Sequence, residues 1–414
     1  MSIGTMTDAS QLNQFYLHGY AFVTDTNVAY SFDESTSKVT SSYNLTTEVK
    51  RDGFTDQSYQ CMFPHQWDKY ASDQDLTKLN IIYDSPRGNL KLYDGNLFKM
   101  QDTFYGMVPE FTVPTNGEYD ENELLSYLDN LDQGTQGDLV GSDAYWQGKS
   151  LHPLGMGVLV ADQIGNTEYR DKFLGKMKTI LTDWLTYSGE GDQAFFFYDK
   201  NWGTLYYKDS EFGANRDISD HHFTYGYFVF ACSVLATYDD EFYQDYKEMI
   251  DLIVRDYASP DKNDNMFCRY RSFDPYEGHS WAGGYADNDD GNNQEAGSES
   301  LFGWVGAYLW ATKREDKKMR DSAIFGFTTE LNAVEHYWFN YYGNTNDGLD
   351  HSGWPEDWPS KIIGQSYGSS YFYGTFFGGY PTYIYGIHWC PVGEYISYYG
   401  VDKKSSSRYL SRCY

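Results

Sequence analysis

The spacing of apolar residues changes near residue 140, and this change constrains the fold more than any other feature of the chain. Before it, short runs alternate apolar and polar residues, as in Val28-Ala29-Tyr30-Ser31-Phe32, a pattern typical of β-strands. After it, apolar residues recur with the helical period of about 3.6. The sequence therefore predicts an N-terminal β region followed by a mainly α-helical region.

The predicted elements form two groups. Strands are predicted within residues 14–48, including 14–17, and at 88–93 and 97–100. After a proline-bearing linker at 109–117, helices are predicted at 118–131, 154–164, 169–187, 223–238, 241–257, 298–312 and 319–339. Short turns alternate with long loops rich in Gly, Asp, Trp and Tyr. This alternation fits an α/α toroid whose long loops build a cleft.

The chain is strongly acidic. It has 31 Lys and Arg residues against 60 Asp and Glu residues, a formal net charge of -29 and a pI near 4.5. Phosphate backbones and acidic lipid headgroups repel such a polyanion, so we exclude nucleic acid and anionic membranes as partners. No apolar stretch is long enough to span a bilayer, and residues 1–30 lack the features of a signal peptide.

Aromatic residues make up 19% of the chain, with 41 Tyr, 26 Phe and 11 Trp. Such rings either stack on sugars or fill a core, and most of them must belong to the core. The five cysteines show no Cys-x-x-Cys or Cys/His spacing, so they predict no metal site.

Two glutamates four residues apart, Glu295 and Glu299, follow a glycine-rich acidic loop and begin an apolar run with helical spacing. If a helix starts near Glu295, the two carboxylates share one face, where like charges oppose each other. The pair could face a polar substrate or a metal. It could also be acidic residues at a helix start, where the dipole favours them. Spacing alone favours the second interpretation.

Asp220 opens another predicted helix, where it could cap the helix or take part in chemistry. The adjacent His221 and His222 would point about 100° apart on a helix, so they cannot easily bind one metal ion. The acidic loop at 287–291 is not an EF-hand, because its sixth position is Asn292 rather than Gly. We therefore predict no metal site.

Several motifs share their order and spacing with one known family. They are Ala-Tyr-Trp-Gln-Gly-Lys at 144–149, Asp-Lys-Asn-Trp-Gly at 199–203, Ser-Asp-His-His-Phe-Thr-Tyr-Gly-Tyr at 219–227, Phe-Asp-Pro-Tyr-Glu-Gly-His-Ser-Trp-Ala at 273–282, and Asp-Gly-Asn-Asn-Gln-Glu-Ala-Gly-Ser-Glu at 290–299. Residues 20–26 and 62–67 are similar to the end of the same family's β-domain. Over essentially its whole length, the chain resembles glycoside hydrolase family 81, the endo-β-1,3-glucanases.

The resemblance implies a mainly α fold with an N-terminal β-sandwich, a linker region and a C-terminal (α/α)6 toroid or barrel. Residues 1–105 would be the last part of the sandwich, 106–135 the linker, and 136–414 the catalytic barrel. Compared with the family, we expect the chain to lack the first part of the sandwich and the last barrel helices.

The resemblance also implies hydrolysis of internal bonds in β-1,3-glucan with inversion at the anomeric carbon. The enzyme would be an extracellular or cell-wall monomer that needs no metal or organic cofactor. Inversion uses one protonated carboxyl group and one carboxylate, about 6.5–9.5 Å apart. By resemblance, Asp220 would be the general acid, Glu295 the general base, and Glu299 would position the water or the sugar. The residues expected to contact glucosyl units are Tyr145, Lys149, Thr224, Asp274 and His279.

One position departs from the family motif Asp-His-His-Phe-His-Tyr-Gly, because Thr224 replaces its third histidine. This position is i+4 from Asp220, so a cleft-facing imidazole would become a hydroxyl. Loss of one group that positions a proton could lower activity roughly 10²-fold. A catalytically impaired β-1,3-glucan-binding protein is therefore the alternative function. An unrelated structural α/α protein with solvated carboxylates is the third interpretation.

Overall fold

The computed structural model describes residues 4–72, 74, 77–113, 119–284, 286, 288–341, 343, 347–355 and 357–401. Parts of the predictions lie outside these residues. They are Asp287 of the acidic loop, positions 114–118 of the linker, and both ends of the predicted domains at 1–3 and 402–414.

The N-terminal part holds two antiparallel sheets of three strands. The strands are β1 (Ala21–Asp33), β2 (Lys38–Val49), β3 (Tyr59–Met62), β4 (Thr77–Ser85), β5 (Gly88–Asp94) and β6 (Leu97–Thr103). One sheet has the order β1-β2-β6 and the other has the order β3-β5-β4. Burial alternates along β6 with the period of a strand that is covered on one face. The strands predicted at 88–93 and 97–100 are confirmed.

The strand predicted at residues 14–17 is wrong, because the chain forms helix α1 (Leu12–His18) there. A capping box from Asp8 starts the helical turn that leads into α1. Phe15 of α1 packs on Tyr59 of β3, with 5.1 Å between the ring centroids. The cap and this contact outweigh the β propensity of the aromatic residues in the segment.

From residue 121 onward the chain is mainly helical. After α2 (Pro64–Asp68), the helices are α3 (Glu121–Gly134), α4 (Ala144–Gln163), α5 (Thr167–Trp184), α6 (His221–Tyr238), α7 (Asp240–Ala258), α8 (Gly297–Lys313), α9 (Lys317–Tyr337) and α10 (Pro381–Gly386). Short turns join α4 to α5, α6 to α7 and α8 to α9. Helix α4 begins at Ala144 instead of the predicted residue 154, because the Asp143 side chain caps its first turn, and Pro153 lies inside the helix.

The helices form an inner and an outer layer. Helix α6 lies between α4 and α8, and all but its last two residues are buried, so it has no polar face. Helices α5 and α7 each bury one face and expose the other. Helix α9 is also buried, because the sheet of β1, β2 and β6 packs on it and Tyr30 stacks on Phe325 at 4.8 Å. In the described part of the chain, none of the helices combines the length and hydropathy that a transmembrane span needs.

Glycines allow the inner helices to approach each other closely. A Cβ atom on Gly226 of α6 would lie 2.7 Å from the Cα atom of Gly303 on α8. A Cβ atom on Gly303 would lie 2.8 Å from the carbonyl oxygen of His222. The backbones of α6 and α8 are therefore in direct contact, and this contact sets the distance between the first turns of the two helices.

The long segments predicted as loops contain short hairpins. Strands β7 (Phe196–Asp199) and β8 (Thr204–Tyr207) form one hairpin, and β9 (Phe273–Asp274) and β10 (His279–Ser280) form another. Strands β11 (Asn293–Gln294), β12 (Gln365–Tyr367) and β13 (Tyr371–Phe372) form a small antiparallel sheet. These pairings give the loops before α6 and α8 a defined backbone.

We predict that Gly303→Ala destabilises the protein by about 1–3 kcal/mol, because the added methyl group must push α6 and α8 apart. Gly175→Ala is the matched control, since Gly175 is an exposed residue of α5 with open space around it. This control should stabilise the protein by up to about 1 kcal/mol through helix propensity. Denaturant unfolding measures both values. Equal stability of the two variants would contradict the close contact of α6 and α8.

Candidate active site

A cleft of about 530 Å³ opens where the N-terminal ends of α4, α6 and α8 meet. The positive ends of these helix dipoles favour negative charge in the cleft. The lining includes carboxyl groups, cations and aromatic rings: Asp217, Asp220, Glu295, Glu299, Lys149, Arg216, Tyr145, Phe212, Phe223, Phe376, Phe377 and Tyr383. The structure thus brings the three predicted carboxyl groups into one cleft.

Asp220 occupies the N-cap position of α6, but its side chain makes no capping hydrogen bond. Its backbone is left-handed, with φ 59° and ψ 17°, a conformation that is uncommon for residues other than glycine. Its N–H donates to the carbonyl of Ala282 at 2.8 Å, which fixes this turn. The interpretation of Asp220 as a simple cap is therefore wrong, and its carboxyl group is available to the cleft.

Four other helices of the hairpins differ from α6 in this respect, whereas α8 resembles it. The N-cap side chains of α4, α5, α7 and α9 each accept a backbone hydrogen bond: Asp143, Asn166, Asp239 and Asp316. The N-cap residue of α8, Ala296, has no side chain that could do so. The two helices that begin at the candidate acidic residues thus leave their first N–H groups without a side-chain cap.

The surroundings of Asp220 favour its protonated form. Burial raises its pKa well above the ordinary value, and the negative charges of Glu299 and Glu295 raise the pKa further. Burial and the two neighbouring charges both disfavour a negative charge on Asp220. Asp220 can therefore carry a proton at a pH where an exposed aspartate is ionised.

Glu295 lies before helix α8 and not inside it. The helix begins at Gly297 because residues 293 and 294 pair with β12 and keep the chain extended up to that point. The prediction that Glu295 and Glu299 share one face of a helix is therefore wrong. Both side chains nevertheless line the same cleft.

Two donors hold the Glu295 carboxylate. The backbone N–H of Phe376 donates to its Oε1 at 2.7 Å, and Gln365 Nε2 lies 3.4 Å from the same oxygen. Burial raises the pKa of Glu295 to about 7, and Glu299 raises it as well. The bonds from Phe376 and Gln365 and the charge of Lys149 act in the opposite direction on this pKa.

Glu299 lies in the first turn of α8, where 7% of its surface is exposed. Its Oε1 accepts a hydrogen bond from the Tyr227 hydroxyl at 2.6 Å and one from Lys149 Nζ at 3.2 Å. The Tyr145 hydroxyl lies 3.3 Å from the same oxygen. A cation, two hydroxyl donors and a helix N-terminus therefore stabilise a negative charge here.

Of the residues predicted to contact sugar, Tyr145 and Lys149 line the cleft. They lie one turn apart on α4, and Lys149 Nζ donates to the Tyr145 hydroxyl at 3.0 Å. Thr224 is buried within α6 and is not part of the cleft lining, which includes its neighbour Phe223 instead.

The structure does not bring Asp274 and His279 to the cleft. Asp274 accepts backbone hydrogen bonds from Tyr276 and Glu277 at 2.8 and 3.1 Å, so its carboxylate stabilises the turn between β9 and β10. His279 is fully buried, and burial lowers its pKa to about 3. Asp274 therefore has a structural role in the hairpin, and His279 lies in the protein interior.

The two histidines at the start of α6 are buried and do not line the cleft. His221 is buried, with Nδ1 2.8 Å from Asp256 Oδ1 and Nε2 2.9 Å from the carbonyl of Ala214. Burial lowers the pKa of His222 to about 3. Among the residues that the structure describes, no group of three or more His, Cys, Asp or Glu side chains could hold a metal ion.

Sequence reasoning did not single out two contributors to the site. Tyr227 lies seven residues after Asp220, about two helical turns along the same face of α6, so helical spacing could have indicated it. Phe376 acts on Glu295 through its backbone N–H, which every residue except proline possesses. No sequence pattern signals such a contact.

Comparison with known proteins agrees with the geometry. Residues 126–404 match the family profile described as the glycosyl hydrolase family 81 C-terminal domain. A glucan endo-1,3-beta-D-glucosidase from Acetivibrio thermocellus is 34% identical over 100% of this chain and 52% of its own length. Its namesake from Thermobifida fusca is 32% identical over 98% of this chain and 52% of its own length.

A solved structure is also similar. A mutant of a glycoside hydrolase family 81 protein from Clostridium thermocellum superimposes with a TM-score of 0.88 at 33% identity. The match covers 99% of this chain and 56% of that protein. The chain thus spans about half the length of the relatives it matches. Because the family profile covers most of the sequence, the family prediction is confirmed, and the chain belongs to glycoside hydrolase family 81.

Proposed function

We propose that this chain hydrolyses internal β-1,3-glucosidic bonds of laminarin-like and cell-wall glucans by an inverting acid/base mechanism. The observation that carries the proposal is the convergence of Asp220, Glu295 and Glu299 in one aromatic-lined cleft. The names of the family relatives support the substrate class. Glycoside hydrolysis needs one protonated carboxyl group and one carboxylate, and this cleft offers both.

Asp220 is the general acid in this mechanism. Burial and two neighbouring carboxylates raise its pKa, so it keeps the proton that the leaving glycosidic oxygen requires. Its fixed turn, with no capping bond on the side chain, leaves the carboxyl group free to reach that oxygen.

Glu295 is the general base. Its two donors both contact Oε1, so Oε2 is the oxygen that takes a proton from the attacking water. When Glu295 ionises, its charge strengthens the hold of Asp220 on its proton, since each charge disfavours the other. Asp220 can therefore be protonated while Glu295 is ionised at the same pH, as catalysis requires.

Glu299 and Lys149 complete the electrostatics. Lys149 and Tyr227 hold Glu299 in place, and Glu299 supplies the fixed negative charge that raises the pKa of Asp220. An oxocarbenium-like transition state carries positive charge, which this carboxylate would stabilise.

Aromatic rings bind the glucan in this proposal. Phe212, Phe376, Phe377 and Tyr383 line the cleft, and 44% to 67% of the surface of each is exposed. Exposed rings of this kind suit the apolar faces of sugars. A neutral polysaccharide is also not repelled by a protein with a net charge of -29.

The wider organisation is part of the same proposal. The hairpins α4–α5, α6–α7 and α8–α9 support an (α/α)6 toroid at residues 136–414, with a linker at 106–135 and a β-sandwich part at 1–105. We further propose an extracellular or cell-wall monomer that uses no metal or organic cofactor, with β-1,3-glucan as its partner.

A catalytically impaired glucan-binding protein is the alternative function. This alternative was inferred from Thr224, which replaces a histidine of the family motif. Thr224 is buried and does not line the cleft, however, while all three candidate carboxyl groups do. Hydrolysis is therefore the better-supported function. A reducing-sugar assay on laminarin separates the two, because an impaired protein would bind glucan without releasing new reducing ends.

We predict that Glu295→Gln lowers the hydrolysis rate by at least about 10²–10⁴-fold, because glutamine cannot take a proton from water. Oligosaccharide affinity, measured by calorimetry, should change little. Glu241→Gln is the control, since Glu241 is an exposed residue at the start of α7. Near-normal turnover of Glu295→Gln would remove this residue from the role of base.

The pH dependence of kcat/KM gives another prediction. Activity should rise as Glu295 ionises, near its pKa of about 7, and fall as Asp220, whose pKa is also raised, loses its proton. Glu299→Gln removes a charge that raises both pKa values, so both limbs should move to lower pH by about half to one unit. If both limbs stay in place or move to higher pH, Glu299 does not supply this charge.

A further inference from the structure

A tight turn at Thr375–Gly378 forms part of the cleft rim. The backbones of Thr375 and Gly378 bond to each other in both directions at 3.0 and 3.2 Å. The Thr375 hydroxyl accepts hydrogen bonds from the N–H groups of Phe377 and Gly378 at 3.1 Å each. These bonds define the geometry of a turn that has Phe376 and Phe377 at its tip.

The two rings at the tip are largely exposed to solvent. Phe376 is 67% exposed and Phe377 is 55% exposed, and both line the cleft. Leaving two large apolar rings in water forgoes the stabilisation that burial would give them. A ligand that covers these rings would recover it.

The same turn contacts the candidate base. The N–H of Phe376 donates to Glu295 Oε1 at 2.7 Å. Thr375 orders the backbone on both sides of this N–H. One residue therefore presents its ring to the cleft and its backbone donor to Glu295.

We propose that Phe376 is a positioning residue that couples glucan binding to the orientation and ionisation of Glu295. The proposal rests on the hydrolytic function proposed above. The ring of Phe376 stacks on a glucosyl unit beside the scissile bond, and this contact further stabilises the turn in the conformation that its own hydrogen bonds define. The turn keeps the N–H on Glu295 Oε1, which favours the carboxylate and leaves Oε2 for the water.

Several other groups affect the ionisation of Glu295, and their effects must be distinguished from that of the Phe376 N–H. Glu299 of α8 adds negative charge, Lys149 of α4 adds positive charge, and Asp220 of the α6 N-cap adds negative charge once it loses its proton. The hydroxyls of Tyr145 and Tyr367 also face it, because its charge raises the pKa of each. None of these groups changes when only the Phe376 N–H is removed, so a backbone variant isolates this contact.

Two variants of one residue separate the two parts of the proposal. Phe376→Ala removes the ring and keeps the N–H. Phe376→Pro removes both, and proline suits the second position of such a turn, where Phe376 has no left-handed backbone. The difference between proline and alanine therefore reports chiefly the loss of the N–H bond.

The expected results differ for the two variants. In Phe376→Ala, KM for a β-1,3-gluco-oligosaccharide should rise about three- to tenfold, the range of one aromatic contact. The acidic limb of kcat/KM should stay in place. In Phe376→Pro, this limb should move to higher pH by about one unit, because a lost donor raises the pKa of a carboxyl group. An acidic limb that is the same in both variants would overturn the proposal.

A second pair of variants covers the case in which the proline variant does not fold. Thr375→Ala removes the hydroxyl that orders the turn, and Thr375→Ser keeps it. The alanine variant should move the acidic limb to higher pH, and the serine variant should restore it. If Thr375→Ala leaves the limb unchanged, the turn does not act on Glu295.

The carboxyl carbon of Glu295, followed by NMR in protein labelled with carbon-13 glutamate, gives the titration without any catalysis. Its signal is assigned by its loss in Glu295→Gln. A pKa that is higher in Phe376→Pro than in Phe376→Ala supports the contact, and equal values overturn it. If the wild-type protein releases no reducing ends from glucan, the proposed function fails, while this titration still tests the turn.

Discussion

A backbone bridge through Ala282 sets the separation of the candidate acid and base. The N–H of Asp220 donates to the carbonyl of Ala282 at 2.8 Å, and the N–H of Ala282 donates to the carbonyl of Asn293 at 2.7 Å. Two residues beyond Asn293 lies Glu295. Gly284 adds a further bond to Asp217, at a position where a Cβ atom would lie 2.6 Å from the Asp217 oxygen. Because only backbone groups form this bridge, the carboxyl groups stay available for chemistry.

The concentration of negative charge in the cleft explains the rest of its architecture. Burying carboxylates is costly unless donors and cations compensate them. Lys149, two tyrosine hydroxyls and the N-terminus of α8 compensate Glu299, while Asp220 and Glu295 respond through raised pKa values. Since their pKa values are raised in the folded protein, these two groups stabilise the fold below their ordinary pKa range. That stabilisation is lost as the pH rises through the raised values, so the site carries a stability cost near neutral pH.

The sequence predicted the elements with strong periodicity and missed features that tertiary contacts decide. The apolar spacing of α6, α7, α8 and α9 predicted these helices, because each must bury an apolar face. The same reasoning failed for α1, where packing on Tyr59 overrides local propensity. It also allowed a helix start near Glu295, since the pairing of residues 293 and 294 with β12, which keeps this stretch out of the helix, involves a segment that lies far along the chain. The motifs identified the carboxyl groups, whereas the Phe376 N–H has no sequence signature.

In the proposed mechanism, Glu295 acts through a water molecule and not as a nucleophile. Proton NMR of the anomeric signals during the first minutes of β-1,3-gluco-oligosaccharide hydrolysis tests this point directly. A water delivered by Glu295 to the face opposite the leaving group gives the α-anomer first, and the β-anomer then grows in by mutarotation. If the β-anomer forms first, the reaction retains configuration, and the assignment of Asp220 as acid and Glu295 as base is contradicted.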